Sequence, residues 1–101
     1  MKLHGPEEPV YTISVAARLL GVHPQTLRLL EKEGLVEPAR TKKNVRLYSE
    51  NDLLLLRRIF ELTRERGVNL AGVREILRLE IHQERVVRWE QKDVEDEEKE
   101  E

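Results

Sequence analysis

Two short amphipathic segments hinged at Gly21, a basic polar run between two β-prone stretches, and longer apolar-periodic segments beyond it predict the fold class. It is mainly α: a winged helix-turn-helix with a short β-hairpin wing, followed by two helices and a short C-terminal interface helix. A chain of 101 residues supports one domain with a modest core. Hydrophobic residues make up 39% and charged residues 38%, so that core must be lean and the surface heavily ionic.

Residues 1–10, which hold Gly5, Pro6 and Pro9, read as a flexible leader. Tyr11-Thr12-Ile13 is a β-prone stretch that delivers the chain into Ser14, the expected N-cap of a helix from Val15 to Leu20 that Gly21 stops. Pro24 suits the first position of a second helix, Gln25 to Glu33, because its missing N–H has no helical partner to lose there. Gly34 ends that helix as a residue able to take positive φ. Leu35-Val36 and Val45-Arg46-Leu47-Tyr48 read as two short strands, with Arg40-Thr41-Lys42-Lys43-Asn44 as the basic tip of the wing between them.

Ser49 begins a third helix with Asp52 as its capping-box partner, running from Glu50 to Arg66. Leu53, Leu56 and Phe60 share one face of it, Leu55, Ile59 and Leu62 lie beside them, and Gly67 closes it. Asn69 caps a fourth helix in which Leu70, Val73, Ile76 and Leu77 recur at helical spacing. Leu79, Val86 and Trp89, with Ile81 and Val87, predict a short dimerisation helix over 81–92. Residues 93–101 read as an acidic, disordered tail, and the winged helix-turn-helix unit is expected over 11–80.

Composition excludes several classes. There is no cysteine, which removes disulfides, thiolate metal sites and thiol redox sensing together. His4, His23 and His82 are too scattered to form a metal-ligand spacing, and no metal or cofactor is expected. No nucleophile–base pair or phosphate-cradling glycine loop points to an enzyme. The longest purely apolar run is Leu53 to Leu56, far short of a membrane span, and the N-terminus lacks the apolar stretch of a signal peptide. A cytoplasmic location is the default.

Charge is unevenly distributed. The last nine residues carry seven acids against Lys99, so a net −6 sits there and +4 on the preceding 92. Between Arg18 and Arg46, seven basic residues face only Glu31, Glu33 and Glu37. A basic body with an acidic tail is compatible with nucleic-acid binding, the tail itself serving as a solubilising extension.

In a helix-turn-helix the second helix enters the major groove and the first crosses the backbone. Ala17 supplies the small side chain that lets the helices approach, and Val22, Leu27 and Leu30 the shared core. The outward residues His23, Gln25, Thr26 and Arg28 are then the candidates for DNA contact. Gln suits adenine by its paired donor and acceptor, and Arg suits guanine or a phosphate. His23 serves equally well as a helix cap, and Gln25 and Thr26 as plain surface residues. Arg18 is placed for a phosphate or a local salt bridge. Arg40, Lys42, Lys43 and Arg46 suit phosphate contact, whereas a solvated loop is the ordinary fate of such a run. Tyr48 is mainly a core residue whose hydroxyl could reach DNA, and Arg57 and Arg58 face solvent.

Tyr11-Thr12-Ile13-Ser14, Gly21-Val22-His23-Pro24-Gln25-Thr26-Leu27-Arg28, Glu31, Gly34-Leu35-Val36 and Arg46-Leu47-Tyr48-Ser49 resemble the DNA-binding domain of MerR-family regulators in order and spacing. His23 to Arg28 and Gly67-Val68-Asn69-Leu70-Ala71-Gly72-Val73 are similar to the heat-shock repressor branch of that family. The resemblance implies a dimeric repressor of chaperone operons, without a large effector domain. It implies binding to an inverted repeat of double-stranded DNA, with an Hsp70-type chaperone as co-repressor. Two positions depart from the pattern. Leu30 stands where the family usually has tyrosine, and Lys42-Lys43-Asn44 replaces the glycine pair common before Arg46, so the turn needs another residue, Asn44, at positive φ. The alternatives are a helix-turn-helix scaffold used as a protein-binding adaptor, or an excisionase-like architectural protein.

Overall fold

Hydrogen-bond chemistry local to each turn sets where the helices start and stop. The computed structural model describes residues 4–80. Its elements run β1 (Tyr11–Thr12), α1 (Ile13–Leu20), α2 (Pro24–Lys32), β2 (Ala39–Arg40), β3 (Arg46–Tyr48) and α3 (Glu50–Phe60), which continues into a π-helical turn, Glu61–Glu65. Residues 70–80 form a further helix, α4. The chain divides into two units, Met1–Gly67 and Val68–Glu101.

In the first unit α1 begins earlier than Ser14 suggests. Thr12 is the N-cap, extended at φ −68° and ψ 163°, and its hydroxyl accepts from the Val15 N–H at 3.4 Å. The reason lies in the sheet: β1 pairs with β3 through Tyr11↔Tyr48 and Thr12↔Leu47, and the ladder ends there. The chain therefore leaves extended geometry at Thr12, and Ser14 is left exposed within the first turn.

Both helices of the pair close alike. Gly21, at φ +68°, donates to the Arg18 carbonyl while Val22 donates to that of Ala17. Gly34, at φ +75°, donates to Glu31 while Leu35 donates to Leu30. These paired bonds satisfy carbonyls that a helix end leaves open, and glycine takes the left-handed backbone without a Cβ penalty.

Leu35-Val36, expected as a strand, is a buried connector instead. Its Leu35 N–H is already committed to closing α2, so it has no free ladder there. The outer strand forms after Pro38, with Ala39↔Leu47 and Arg40↔Arg46 in register. The three antiparallel strands lie in the order β1-β3-β2, with β3 central. At the wing tip Asn44 adopts φ +64° and its N–H bonds the Thr41 carbonyl at 2.9 Å, so asparagine does what glycine would.

Ser49 and Asp52 form the expected capping box at α3. Residues 5–10, expected as a free leader, are tied to this end of the molecule. The Pro6 carbonyl accepts from Asn51 at 3.0 Å, Val10 donates to Tyr48, and the Tyr11 hydroxyl donates to Glu50 at 2.7 Å. A helix start has open N–H groups, and the leader supplies an acceptor for one of them.

Ala16 and Ala17 of α1, Leu27 and Leu30 of α2, Leu35, Val36, Tyr48, and Leu56, Ile59 and Leu62 of the third helix and its π turn make the core of this unit. Each fully buried Leu or Ile contributes roughly 1.5–3 kcal/mol over its exposed state. On α3 the deepest line is Leu56 and Ile59, continued by Leu62, rather than Leu53, Leu56 and Phe60. Leu53 and Phe60 are half-buried. Arg57 is exposed and Arg58 pairs with Glu61 at 2.9 Å.

In the second unit the Asn69 side-chain Oδ1 accepts from the Gly72 N–H at 2.8 Å, the expected cap of α4. A Cβ at Gly72 would stand 2.8 Å from Val68 Cγ1, so a side chain there requires Val68 to shift. Val73 is buried, and Leu70, Ile76 and Leu77 are half-buried. The expected dimerisation helix over 81–92, with Val86 and Trp89, and the acidic tail lie outside the described residues.

The cap assignment is directly testable. Thr12→Ala should lower unfolding free energy by about 1 kcal/mol in denaturant titration, while Ser14→Ala stays within about 0.5 kcal/mol. The opposite ranking would return the cap to Ser14.

Candidate nucleic-acid interface

The second helix sets the character of the surface. Leu27 and Leu30, three residues apart, turn one side of α2 into the core, and the opposite side is left to Gln25, Arg28, Leu29 and Lys32, all exposed; His23, at the N-cap, is exposed as well. Thr26 is half-buried. Leu30, where the resemblance leads one to expect tyrosine, packs inward.

His23 is the N-cap of α2: its Nδ1 accepts from the Gln25 N–H at 3.1 Å. Accepting at Nδ1 puts the proton of the neutral ring on Nε2, so the cap also turns that edge into a donor. Arg28 Nη1 donates to Gln25 Oε1 at 2.7 Å. With that oxygen engaged, the N–H₂ of the exposed Gln25 amide remains as a donor beside the guanidinium's other N–H groups. The pair presents donors, which suit the guanine O6/N7 edge or a phosphate better than the mixed edge of adenine. Arg18 stands exposed in the last turn of α1, where its charge also complements the helix dipole.

The wing divides into two parts. Lys42 and Lys43 are exposed at the tip. Arg40 and Arg46, expected at phosphates, are both held by Glu31 of α2. Arg40 Nη2 reaches Oε1 at 2.7 Å and Arg46 Nε reaches Oε2 at 2.5 Å. Arg40 Nη1 also donates to the Asn44 carbonyl at 3.2 Å, so one guanidinium ties α2 to the tip. Burial pushes the Glu31 carboxyl upward, but Arg46 and then Arg40 outweigh it and hold the group below the usual glutamate range. A carboxyl whose folded pKa is lowered stabilises the fold above its unfolded value and loses that contribution as pH falls through the lowered one. The clamp is therefore intact at neutral pH.

Tyr48 corrects an expectation. Its side chain is fully buried at the centre of the sheet, so its hydroxyl cannot be offered to DNA. That hydroxyl has no hydrogen-bond partner among the described residues; burial and then the Glu31 charge push its pKa up. Glu31 is the residue the sequence reading passed over as a functional group. The expected hairpin placed Arg40 in the tip and not opposite Arg46, so the sequence carried no direct signal for it; the observed Arg40↔Arg46 register is what calls for a carboxylate.

Among the described residues no cluster of three His, Cys, Asp or Glu could hold a metal ion, and no helix is long and apolar enough to cross a membrane.

A polar recognition face on the second of two short helices, followed by a basic-tipped hairpin, defines a winged helix-turn-helix of the DNA-binding class. Residues 11–80 match the MerR HTH family regulatory protein description, and the chain belongs to the MerR family of transcription regulators. The protein of Streptomyces coelicolor that carries the name heat shock protein HspR is 51% identical over 74 residues, 73% of this chain and 49% of that protein. The chain thus spans about half the length of that relative. The regulator GlnR of Bacillus anthracis is 33% identical over 88 residues, 87% of this chain and 67% of that protein. Among solved structures, HiNmlR, a MerR family regulator lacking the sensor domain and bound to promoter DNA, superposes with a TM-score of 0.63. It is 27% identical, covering 79% of this chain and 64% of that one.

Replacing Tyr48 by Phe should leave thermal stability unchanged or raise it by about 1 kcal/mol, since it removes a buried unpartnered hydroxyl. A loss of more than about 1 kcal/mol on calorimetry would mean the hydroxyl is satisfied in solution.

Proposed function

We propose that the protein is a dimeric repressor of heat-shock and chaperone genes that binds an inverted repeat in double-stranded DNA. The observation that carries the DNA reading is the outward display of His23, Gln25 and Arg28 on a helix whose other side is buried. The 51% identity to HspR supports the heat-shock assignment. In this reading α2 lies in the major groove and supplies sequence choice, while Arg18, Lys42 and Lys43 meet phosphates and supply salt-dependent affinity. Arg46 and Arg40 support the wing and add positive potential near the backbone, and Thr26 flanks the base-reading pair.

A single module of this kind buries about 600–1,000 Å² of protein surface on DNA, so pairing two is the economical route to a tight site. Leu79, 59% exposed on α4, supports an apolar seam that Val86 and Trp89 would extend. The protein works in the cytoplasm without chemistry of its own, and an Hsp70-type chaperone acts as co-repressor.

Selection of bound duplexes from a random pool should return two half-sites in inverted orientation. On the selected duplex Arg28→Ala should cost roughly 1–3 kcal/mol of specific binding if it reads a base. Lys42→Ala with Lys43→Ala should instead weaken all duplexes alike and flatten the salt slope by about 2 units. An unchanged mobility shift for Arg28→Ala, or an unchanged slope for the lysine pair, removes that residue set from the interface.

A further inference from the structure

The wing contains an apparent contradiction: Arg40 and Arg46 are register partners across β2 and β3, two cations facing one another. Like charges directly opposite on a strand pair are destabilising. The hairpin is short, with two residues in β2 and three in β3, so its backbone ladder offers little to resist that repulsion. The opposing charge comes from outside the hairpin. Glu31 lies on α2, one helical turn beyond Arg28, and gives one carboxylate oxygen to each arginine. The same contacts join the wing to the recognition helix, and the Arg40 bond to the Asn44 carbonyl passes the constraint on to the lysine tip.

We propose that Glu31 is a specificity-determining positioning residue. By taking both opposed arginines it fixes the wing relative to α2, so that base-reading and phosphate-binding side chains meet the duplex in one geometry. This rests on the DNA-binding reading above and deepens it. A negative residue inside a nucleic-acid interface lowers raw attraction to phosphate. Its contribution is therefore to the difference between the right duplex and any other, since phosphate contacts hold register while base contacts specify. Without it, two unpaired guanidinium groups join a loosened wing, which favours sequence-independent binding.

The test compares the wild-type chain with Glu31→Gln on the selected duplex and on a random duplex of equal length, across a salt series, with thermal melts of both proteins. In Glu31→Gln the random duplex should bind as tightly or more tightly, with a salt slope steeper by about two units, and the ratio of selected to random affinity should fall by at least about tenfold. A substitution that only destabilises the fold lowers both affinities together and leaves ratio and slope alone; that outcome overturns the proposal. Should Glu31→Gln not fold, Glu31→Gln with Arg40→Gln removes the opposed charge and serves in its place. Its ratio should stay reduced, because the Glu31 carboxylate no longer links α2 to both strands of the wing, and a wild-type ratio in it overturns the proposal too. If the wild-type chain itself prefers no duplex, the DNA reading fails and this inference falls with it.

Discussion

The burial of Leu27 and Leu30 decides which side of α2 meets the solvent, and the rest of the site follows from it. A nine-residue helix is too short to be stable in water by its own hydrogen bonds, so its packed side must hold it in place. Ala16 and Ala17 on α1 are buried as well, and their small side chains let the two helices approach closely. Once the leucines are inward, Gln25 and Arg28 face out, and His23 is exposed at the N-cap. The cap at His23 and the Gln25–Arg28 bond then order that outward face before any ligand arrives. Groups already ordered lose less entropy on binding.

A second layer of order comes from charge. The basic stretch of this chain is not a loose cloud of cations, because two of its arginines are committed to Glu31 and two lysines are not. This separates bracing from attraction. The exposed lysines are the groups free to respond to salt, whereas the partly shielded pairs with Glu31 keep more of their strength in a screened solution. The buried Tyr48 ring beneath the sheet completes the support from the core side.

Much of this was legible in the sequence wherever the deciding chemistry is local. Pro24 at a helix start, Ser49 with Asp52, Asn69 with Gly72, and Asn44 at the wing tip each depend on neighbours within a few residues. What escaped depends on partners far along the chain. Thr12 and Ser14 are both capable caps, and the ladder to Leu47 chooses between them. Leu35-Val36 has the composition of a strand, yet the closing bond to Leu30 takes its N–H. The leader has the composition of a free end, but Pro6 meets Asn51 across the fold. Arg40 and Arg46 read as phosphate ligands until Glu31 is seen between them.

Membership of the MerR family fixes the class of the molecule, and the 51% identity to HspR places it near a heat-shock relative. Particular to this chain are the exposed Gln25–Arg28 pair on α2 and the joining of the wing arginines to that helix through Glu31. The most direct test is a nitrogen-15 NMR titration of the protein with its selected duplex. Signals of His23, Gln25, Arg28 and the 41–44 tip should shift together and saturate at one protein chain per half-site. Shifts confined to α3 and α4, with the α2 signals unmoved, would contradict the account.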